Sequence, residues 1–388
     1  MKKSCLYIYL LFLSVIAIAC GGEVSYLEMN SSKSFIAPGE PSGNDSLSAS
    51  TNRSDKEGET APKLDPLAGA AYVKQPQIGN YGTVNLSYPM DAPNGRAGMQ
   101  PGVGLSYSSS GGDGLAGIGW SLGTGLGVIS RTTRNGELYY DYRDEFTYNG
   151  QRLVKVSGPD ESEEGTYRLE IESGFSRFEL SDASSGGIWR VYDKSGTVTI
   201  FGEDRSSRIY KPDDTDKTYI WNFTRSIDLN GNYMCAVYDD SEYEDNHILY
   251  LSEIRYTGNI RTNQAARQYV RFHYRDRDEA YVSKAPGFPM VMDRLLDRVE
   301  MGWDAPGLLG NNTTLWDYTM VYEESEDSHR QLLVTVESSR TTTKPEFVYQ
   351  EAEHLFVWQM VNNPRYNDSE VNPDATQYFE GDFNGDGI

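Results

Sequence analysis

The chain has 388 residues and a formal net charge of −22, with 57 acidic against 35 basic residues. This balance argues against a nucleic-acid-binding protein, because phosphate recognition requires clustered Lys and Arg. The length predicts roughly two or three domains, and three cysteines are too few for a scaffold held by several disulfides.

The N-terminus has the form of an export signal. A positive start is followed by an apolar run from Leu6 to Ile18, which is short for a membrane span and typical of a signal peptide. Small residues, Ala17 to Ala19, precede Cys20, as in the lipobox of bacterial lipoproteins. We therefore predict a lipoprotein signal peptide over residues 1–20 with Cys20 as the lipidation site; ordinary signal cleavage is the alternative. Either interpretation predicts export, to a lipid-anchored position on the outer membrane and cell surface or into the medium.

A polar segment follows, rich in Ser, Asn, Gly, Glu, Lys and Pro. Residues 21–66 contain too few apolar side chains to offset the entropy of ordering, which predicts a disordered tether. With Cys5 in the signal and Cys20 lipidated, Cys235 would be a single cysteine in the mature chain. Its apolar surroundings, YMCAVY, predict a buried thiol.

The body, residues 67–361, has the pattern of an all-β domain. Short period-two segments rich in aromatic and β-branched residues alternate with Gly, Asn, Asp and Pro; among them are VGLSYSS, TYRLEIE, WRVYD, YIWNFTRSI and VRFHYR. Turn pairs of the hairpin type separate several of them: Asn94-Gly95, Asn135-Gly136, Asn149-Gly150, Ser195-Gly196 and Asn230-Gly231. Only DRLLDRVEMGW, residues 293–303, is ambiguous, and we favour a strand there. We predict antiparallel sheets arranged as a sandwich or shell.

One glycine-rich stretch, GDGLAG, spells the dinucleotide-binding fingerprint through Gly112, Gly114 and Gly117. That fingerprint needs a following helix whose N-terminus faces the pyrophosphate. Four further glycines between residues 119 and 127 weaken any such helix, each by about 1 kcal/mol relative to Ala. We therefore predict tight turns that let Trp120 pack under neighbouring strands, with no cofactor bound there.

Several spaced motifs of this region resemble one known family in order. They are the turn Pro93 to Arg96, the strand Pro101 to Ser108, Gly112-Asp113-Gly114, Gly117 to Trp120 and Ile129-Ser130-Arg131. Later segments agree: Trp189 to Gly202 and Trp221 to Asn232. This pattern is similar to the SpvB-type N-terminal domain, shared by a Salmonella plasmid virulence protein and the B components of insecticidal Tc toxin complexes. Asp113 stands where that family usually has Asn.

The last residues, DFNGDGI, resemble the start of an FG-GAP or VCBS repeat, a β-propeller blade motif. Such repeats follow this domain in Tc toxin B components. Asp382, Asn384 and Asp386, with the carbonyl of Ile388, match the first half of a calcium loop. We predict the beginning of a truncated propeller repeat over residues 362–388, with calcium bound weakly at this incomplete site or not at all.

The resemblance also raises the question of catalysis, since SpvB carries a C-terminal ADP-ribosyltransferase domain. Such enzymes use an E-x-E carboxylate pair, and this chain spells it twice, at Glu170-Ile171-Glu172 and Glu351-Ala352-Glu353. Both lie in the part that matches the non-enzymatic domain. The four histidines lack metal-ligand spacing. We predict no catalytic residues.

The resemblance thus implies a non-enzymatic N-terminal scaffold of a toxin-complex-like virulence protein, which helps enclose or deliver a C-terminal effector. Its expected partners are other toxin-complex subunits or an RHS-type shell, with membrane contact only through the lipid anchor and no nucleic acid. The alternative is a surface lipoprotein that acts as an adhesion module through its β domain and propeller.

Overall fold

A computed structural model describes residues 77–78, 83–133, 136–172, 174–304, 312–325, 329–341 and 344–349. Helix is confined to α1 (Tyr243–Asn246) and two 3-10 turns within these ranges, which confirms the all-β prediction. The strands, in chain order, are β1 (Gln77–Ile78), β2 (Val84–Pro89), β3 (Gly104–Ser108), β4 (Asp113–Gly114), β5 (Gly117–Ile118), β6 (Trp120–Gly123), β7 (Val128–Thr132), β8 (Glu145–Tyr148), β9 (Gln151–Ser157), β10 (Gly165–Leu169), β11 (Arg177–Ser181), β12 (Ile188–Tyr192), β13 (Val198–Phe201), β14 (Arg208–Lys211), β15 (Asp214–Ile227), β16 (Asn232–Asp239), β17 (Tyr250–Asn259), β18 (Gln268–Ser283), β19 (Met290–Asp304), β20 (Asn312–Glu324) and β21 (Gln331–Ser338).

A closed barrel forms the first half of the large sheet. Strands β7 to β13 follow one another as antiparallel neighbours, and β15 pairs with both β7 and β13. Asn222 of β15 faces Val128 of β7, while its carbonyl oxygen accepts from Gly202 just past β13. Because these partners lie on opposite sides of β15, the eight strands form a continuous ring.

Aromatic side chains fill the barrel. Trp189, Trp221 and Phe146 are almost fully buried, and their rings meet edge to face at centroid distances of 5.1 to 6.2 Å. On β12 the buried residues Trp189 and Val191 alternate with half-buried ones, so the period-two pattern points one face inward. Such ring pairs add to the stability gained by burying aromatic area.

Beyond β15 the sheet continues as an antiparallel meander through β16, β17, β18, β19, β20 and β21. A second sheet, β1-β2-β3-β6, contributes to the same hydrophobic core, where Tyr88 of β2 meets Tyr318 of β20 edge to face at 6.4 Å. This part is the predicted sandwich. Its strands are longer than the sequence pattern indicated, since β15, β18 and β19 have 14, 16 and 15 residues. Register shifts in the pairing of β18 with β19 interrupt the alternation of apolar and polar residues from which strand length is predicted.

The turn predictions have mixed outcomes. Asn149 and Gly150, both with positive φ, join β8 to β9 as predicted, and Asn230-Gly231 joins β15 to β16. At Asn94-Gly95 the prediction is wrong. The chain instead reverses at Ala97 and Gly98, both with positive φ, between the bridged pair Arg96 and Met99.

Two further predictions concern single elements. Residues 293–303 lie within β19, which confirms the strand there. Cys235 is buried on β16, as expected. The other two cysteines lie outside the described residues. Across the described part of the chain, no helix has the length and apolarity needed to span a membrane.

Candidate functional site

The glycine-rich segment forms a tight hairpin at the centre of the sandwich. Strands β4 and β5 pair across the two residues Leu115 and Ala116, and the next element is strand β6, not a helix. Ala116 is fully buried, and the carbonyl oxygen of Leu115 accepts from the amide of Leu296 on β19 at 2.7 Å. The segment is therefore inserted into the protein, with no helix N-terminus to hold a pyrophosphate.

Two of the fingerprint glycines are required by close packing. A Cβ on Gly117, whose φ is +92°, would lie 2.6 Å from the carbonyl oxygen of Gln331 on β21. A Cβ on Gly114 would lie 2.0 Å from the carbonyl oxygen of Trp120. Gly112, in contrast, has open space around it. The glycines thus let the hairpin approach β21, which agrees with the predicted packing role.

An ion pair fixes the hairpin to β18. The Arg277 side chain is only 3% exposed and its Nη1 lies 2.9 Å from Oδ1 of Asp113. Its Nη2 also donates to the carbonyl oxygen of Gly114. Asp113 is thus bound to a cation from a strand more than 160 residues further along the chain. Asp113 thus gives the buried Arg277 guanidinium an anionic partner.

Trp120 closes the other side of the hairpin. It is 2% exposed, and its ring packs against Tyr107 and Phe347 at centroid distances of 5.2 and 4.8 Å. Its Nε1 donates to the Tyr349 hydroxyl at 2.7 Å, and that hydroxyl donates to the carbonyl oxygen of Leu333 at 2.7 Å. The predicted buried position of Trp120 is confirmed.

We call this cluster the glycine junction: the hairpin 112–120, Arg277, β21 and the segment 344–349. The last segment runs along the free side of β21, where the Phe347 amide donates to the Val334 carbonyl oxygen at 2.8 Å. Burial raises the pKa of Tyr349 to about 12 from its ordinary 10. The polar groups of the glycine junction donate and accept hydrogen bonds within the protein. The junction thereby joins the second sheet, the meander and the described C-terminal segment.

The other candidate residues from the sequence that the structure describes lie beside charged side chains of neighbouring strands. Glu170 follows β10 and pairs with Arg152 at 2.7 Å, and Glu172 faces Arg168 at 4.0 Å. His273 on β18 lies 3.2 Å from Glu300. Among the described residues, no three His, Cys, Asp or Glu side chains are grouped so that they could hold a metal ion.

Some candidates lie outside the described residues. They are the lipidation site Cys20, the second E-x-E at residues 351–353, and the calcium ligands Asp382, Asn384, Asp386 and Ile388. The proposed signal, tether and propeller segments lie there as well, so these remain predictions.

Sequence reasoning missed two parts of the junction. Arg277 lies in a charged run, RDRDE, that reads as a solvated strand, and nothing in that pattern marks it as buried. Phe347 and Tyr349 lie in EFVYQ, which the sequence pattern also predicts to be a strand, whereas both side chains cover Trp120. The unusual Asp113 was the only signal of a cation nearby.

Comparison with known proteins agrees with this fold. A family model described as "Salmonella virulence plasmid 65kDa B protein", SpvB, matches residues 78–294, more than half of the chain. The mono(ADP-ribosyl)transferase SpvB of Salmonella choleraesuis is 29% identical over 200 residues, which is 46% of this chain and 33% of the relative. The Salmonella enteritidis protein is 28% identical over 198 residues, 46% of this chain and 32% of its own. The chain therefore matches about a third of the length of these curated relatives.

Solved structures show the same fold. The N-terminal domain of the effector SpvB from Salmonella typhimurium superposes with a TM-score of 0.55 at 21% identity, covering 64% of this chain and 97% of that domain. The crystal structure of TcdB2-TccC3 gives a TM-score of 0.57 at 23% identity, covering 69% of this chain and 16% of that one. The motif order, the fold and the family match lead to one conclusion: the chain belongs to the SpvB family.

Proposed function

We propose that this chain is a non-enzymatic N-terminal scaffold of an exported toxin-complex-like virulence protein. One observation carries the proposal. The curated transferase relatives are matched over only 33% of their length, and the fold corresponds to nearly the whole SpvB N-terminal domain. The part shared with the transferases is thus a domain of its own.

The structure of the candidate residues supports this role. Glu170 and Glu172, the E-x-E pair among the described residues, are each engaged by an arginine, and Glu170 lies on an exposed turn. A catalytic carboxylate needs a cleft that excludes water and orients a substrate. The side chains and glycines of the glycine junction are engaged in contacts within the protein. These features favour a structural module over a site of reaction.

Toxin-complex relatives also support the proposed partners. In the TcdB2-TccC3 structures this fold accounts for about 15 or 16% of a much longer chain. We infer that the protein packs against other toxin-complex subunits or a C-terminal effector. The toxin relatives favour this role over the surface-adhesion alternative.

Two measurements test the proposal. The purified chain should transfer no ADP-ribose from NAD to actin above a heat-denatured control. Activity that is lost in Glu170→Gln would contradict a non-enzymatic role. Mixed with a TccC3-type component, the chain should elute as one complex with the summed mass. Gly112→Ala should behave as the wild type, and separate elution of the wild type would contradict the partner.

The anchor and the calcium loop are also parts of the proposal. Labelling with a fatty acid should mark the wild type and leave Cys20→Ser unlabelled; equal labelling of both would exclude lipidation at that residue. Titration with calcium should give at most weak binding, because the motif matches only Asp382, Asn384, Asp386 and the Ile388 carbonyl as ligands. Tight binding that is lost in Asp382→Ala would show a complete site.

A further inference from the structure

The outer edge of β2 is covered over only part of its length. The order β1-β2-β3-β6 places β1 at the edge of the second sheet, and β1 pairs with β2 only at Asn85 and Val84. Strand β2 continues to Pro89, so residues 86–89 face no further strand on that side within the described part of the chain. An uncovered edge of this kind is a template for pairing with an extended segment.

The hydrogen bonds of β2 show which residues face this open side. The Val84 carbonyl oxygen accepts from the amide of Ser109, and the Met90 amide donates to the carbonyl oxygen of Val103, both at 2.9 Å. Even-numbered residues of β2 therefore bond to β3, because backbone groups alternate in direction along a strand. The amide and carbonyl of Ser87, an exposed residue, are directed to the open side.

A groove of about 540 Å³ lies where β2 ends. Its walls are residues 89–94, residues 100–103, Trp316 and Arg340, and they include three prolines. The charges at the groove pair with each other, since the Arg340 guanidinium lies 3.1 Å from the Asp91 carboxylate and 4.5 Å from the centroid of the Trp316 ring. Apolar walls with a few polar groups suit an aromatic side chain that carries a hydroxyl.

The direction of β1 determines which segment can reach this groove. Strand β1 is antiparallel to β2, with Gln77 opposite Asn85. Residues that precede β1 in the sequence therefore approach the end of β2, because paired strands advance by similar steps. Continued in this register, residue 75 is opposite Ser87 and residue 72 is opposite Met90, which lines the groove.

The sequence of residues 72–76, YVKQP, is compatible with an edge strand in this register. Pro76 is opposite Leu86, an even-numbered position where β2 directs its amide to β3. The residue opposite such a position needs no N–H, and proline is tolerated in an edge strand where its nitrogen faces away from the neighbour. Tyr72, at the groove, supplies an aromatic ring with a hydroxyl.

We propose that residues 72–76 extend β1 along the open edge of β2 and place Tyr72 in the groove beside Trp316. Tyr72 is attached to the described part of the chain five residues before Gln77. Its effective concentration at the groove therefore exceeds that of a second copy or of a free partner. The docked segment covers the edge against pairing between chains. This inference goes beyond the scaffold role and does not depend on it.

Hydrogen exchange of the full chain, resolved to single amides by mass spectrometry, tests the pairing. In the wild type the Ser87 amide should exchange slowly. In Gln75→Pro it should exchange about tenfold faster, because residue 75 loses the amide that faces β2 and the ring displaces the strand. Lys74→Pro is the matched control and should leave the exchange of Ser87 unchanged, since the amide at 74 faces away from β2. The Leu86 amide, directed to β3, should stay protected in every variant and shows that each is folded.

Photochemical cross-linking tests the position of Tyr72. Benzoylphenylalanine in place of Tyr72 in the full chain should link, on irradiation, to a peptide that contains residues 89–94 or Trp316 of the same chain. The same group in place of Val73, which alternates to the opposite face of the strand, should not form this link.

The proposal is overturned if the Ser87 amide of the wild type exchanges as in an unstructured peptide. Equal exchange of Ser87 in wild type and Gln75→Pro would show that another segment covers the edge. Equal acceleration in both proline variants would exclude the register. A link from position 72 that joins two chains, detected at twice the mass, would assign the groove to a second copy.

Discussion

At the scale of single residues, Trp120 shows how one side chain connects distant parts of the sequence. Its ring contacts Tyr107 and Phe347, and its Nε1 reaches the hydroxyl of Tyr349, 229 residues further along the chain. The burial of Trp120 could be predicted from the glycines around it. Its hydrogen-bond partner could not, because a local pattern holds no information on which distant strand will be adjacent.

We predict that Trp120→Ala lowers the free energy of unfolding by about 3–5 kcal/mol, because it leaves a large cavity. Tyr349→Phe should cost about 1–3 kcal/mol, since the Trp120 Nε1 and the Leu333 carbonyl lose their partner. Urea midpoints of both variants and of the double variant measure the two effects. Additive losses would show that the hydrogen bond contributes nothing.

The pair Asp113 and Arg277 is the second case at this scale. Asp113→Asn keeps the shape but removes the charge that faces a guanidinium with little exposure. We expect a loss of about 1.5–3 kcal/mol, the range for hydrogen bonds to charged groups.

Replacing both partners, as Asp113→Asn with Arg277→Met, should cost less than the sum of the single changes, because no charge is left buried alone. Urea unfolding of the four proteins gives the coupling energy. A coupling of zero within error would mean that the two side chains do not interact in solution.

At the scale of elements, the hairpin of β4 and β5 shows why one fingerprint can have two meanings. The sequence predicted that the helix needed for a nucleotide site is missing, because repeated glycines cannot sustain it, and the element after the hairpin is indeed strand β6. The sequence did not place the hairpin against β21. Similarly, Asn149-Gly150 identified a hairpin, whereas Ala97-Gly98 escaped detection because Ala rarely adopts positive φ.

Two glycines of that hairpin give a matched comparison. Gly117→Ala meets the Gln331 carbonyl and must hold a positive φ, so we expect a loss of at least 1–3 kcal/mol. Gly112→Ala meets nothing within 4 Å and should change stability by less than about 1 kcal/mol. Thermal or urea unfolding decides between them, and equal losses would contradict the packing role of the hairpin.

At the scale of the whole molecule, the 28 tyrosines of the sequence set the response to alkali. Burial raises the pKa of Tyr88, Tyr269 and Tyr349 to about 12, from 10. The folded state thus favours the neutral phenol over the phenolate. This stabilisation is fully present below the unfolded pKa, near 10, and is lost as the pH rises through 12.

We therefore expect the urea midpoint to be insensitive to tyrosine ionisation up to about pH 9 and to fall steeply from about pH 10 to pH 12. Tyr349→Phe should reduce the slope in this range. The phenolate absorbance that is missing from this variant should appear in the wild type together with unfolding. If it appears before unfolding, near the ordinary pKa, the Tyr349 hydroxyl is exposed.

The all-β class and the sandwich could be predicted at this scale from alternation and turn residues. The barrel could not, because its closure depends on β15 reaching both β7 and β13. Nothing in the local pattern of YIWNFTRSI shows that its two halves have different neighbours. The lengths of the long strands were also underestimated, because bulges in β18 break the alternation of apolar and polar residues.

The closure by β15 has a consequence for the order of events during synthesis. Strands β7 to β13 emerge first, and the ring stays open until Ile227 of β15 has left the ribosome or the export channel. During that interval both outer strands present unpaired amides and carbonyls, which is the state most prone to pairing with another chain. A stall between residues 201 and 214 would prolong this state, so the rate at which the connecting segment is made or translocated governs how much protein escapes aggregation.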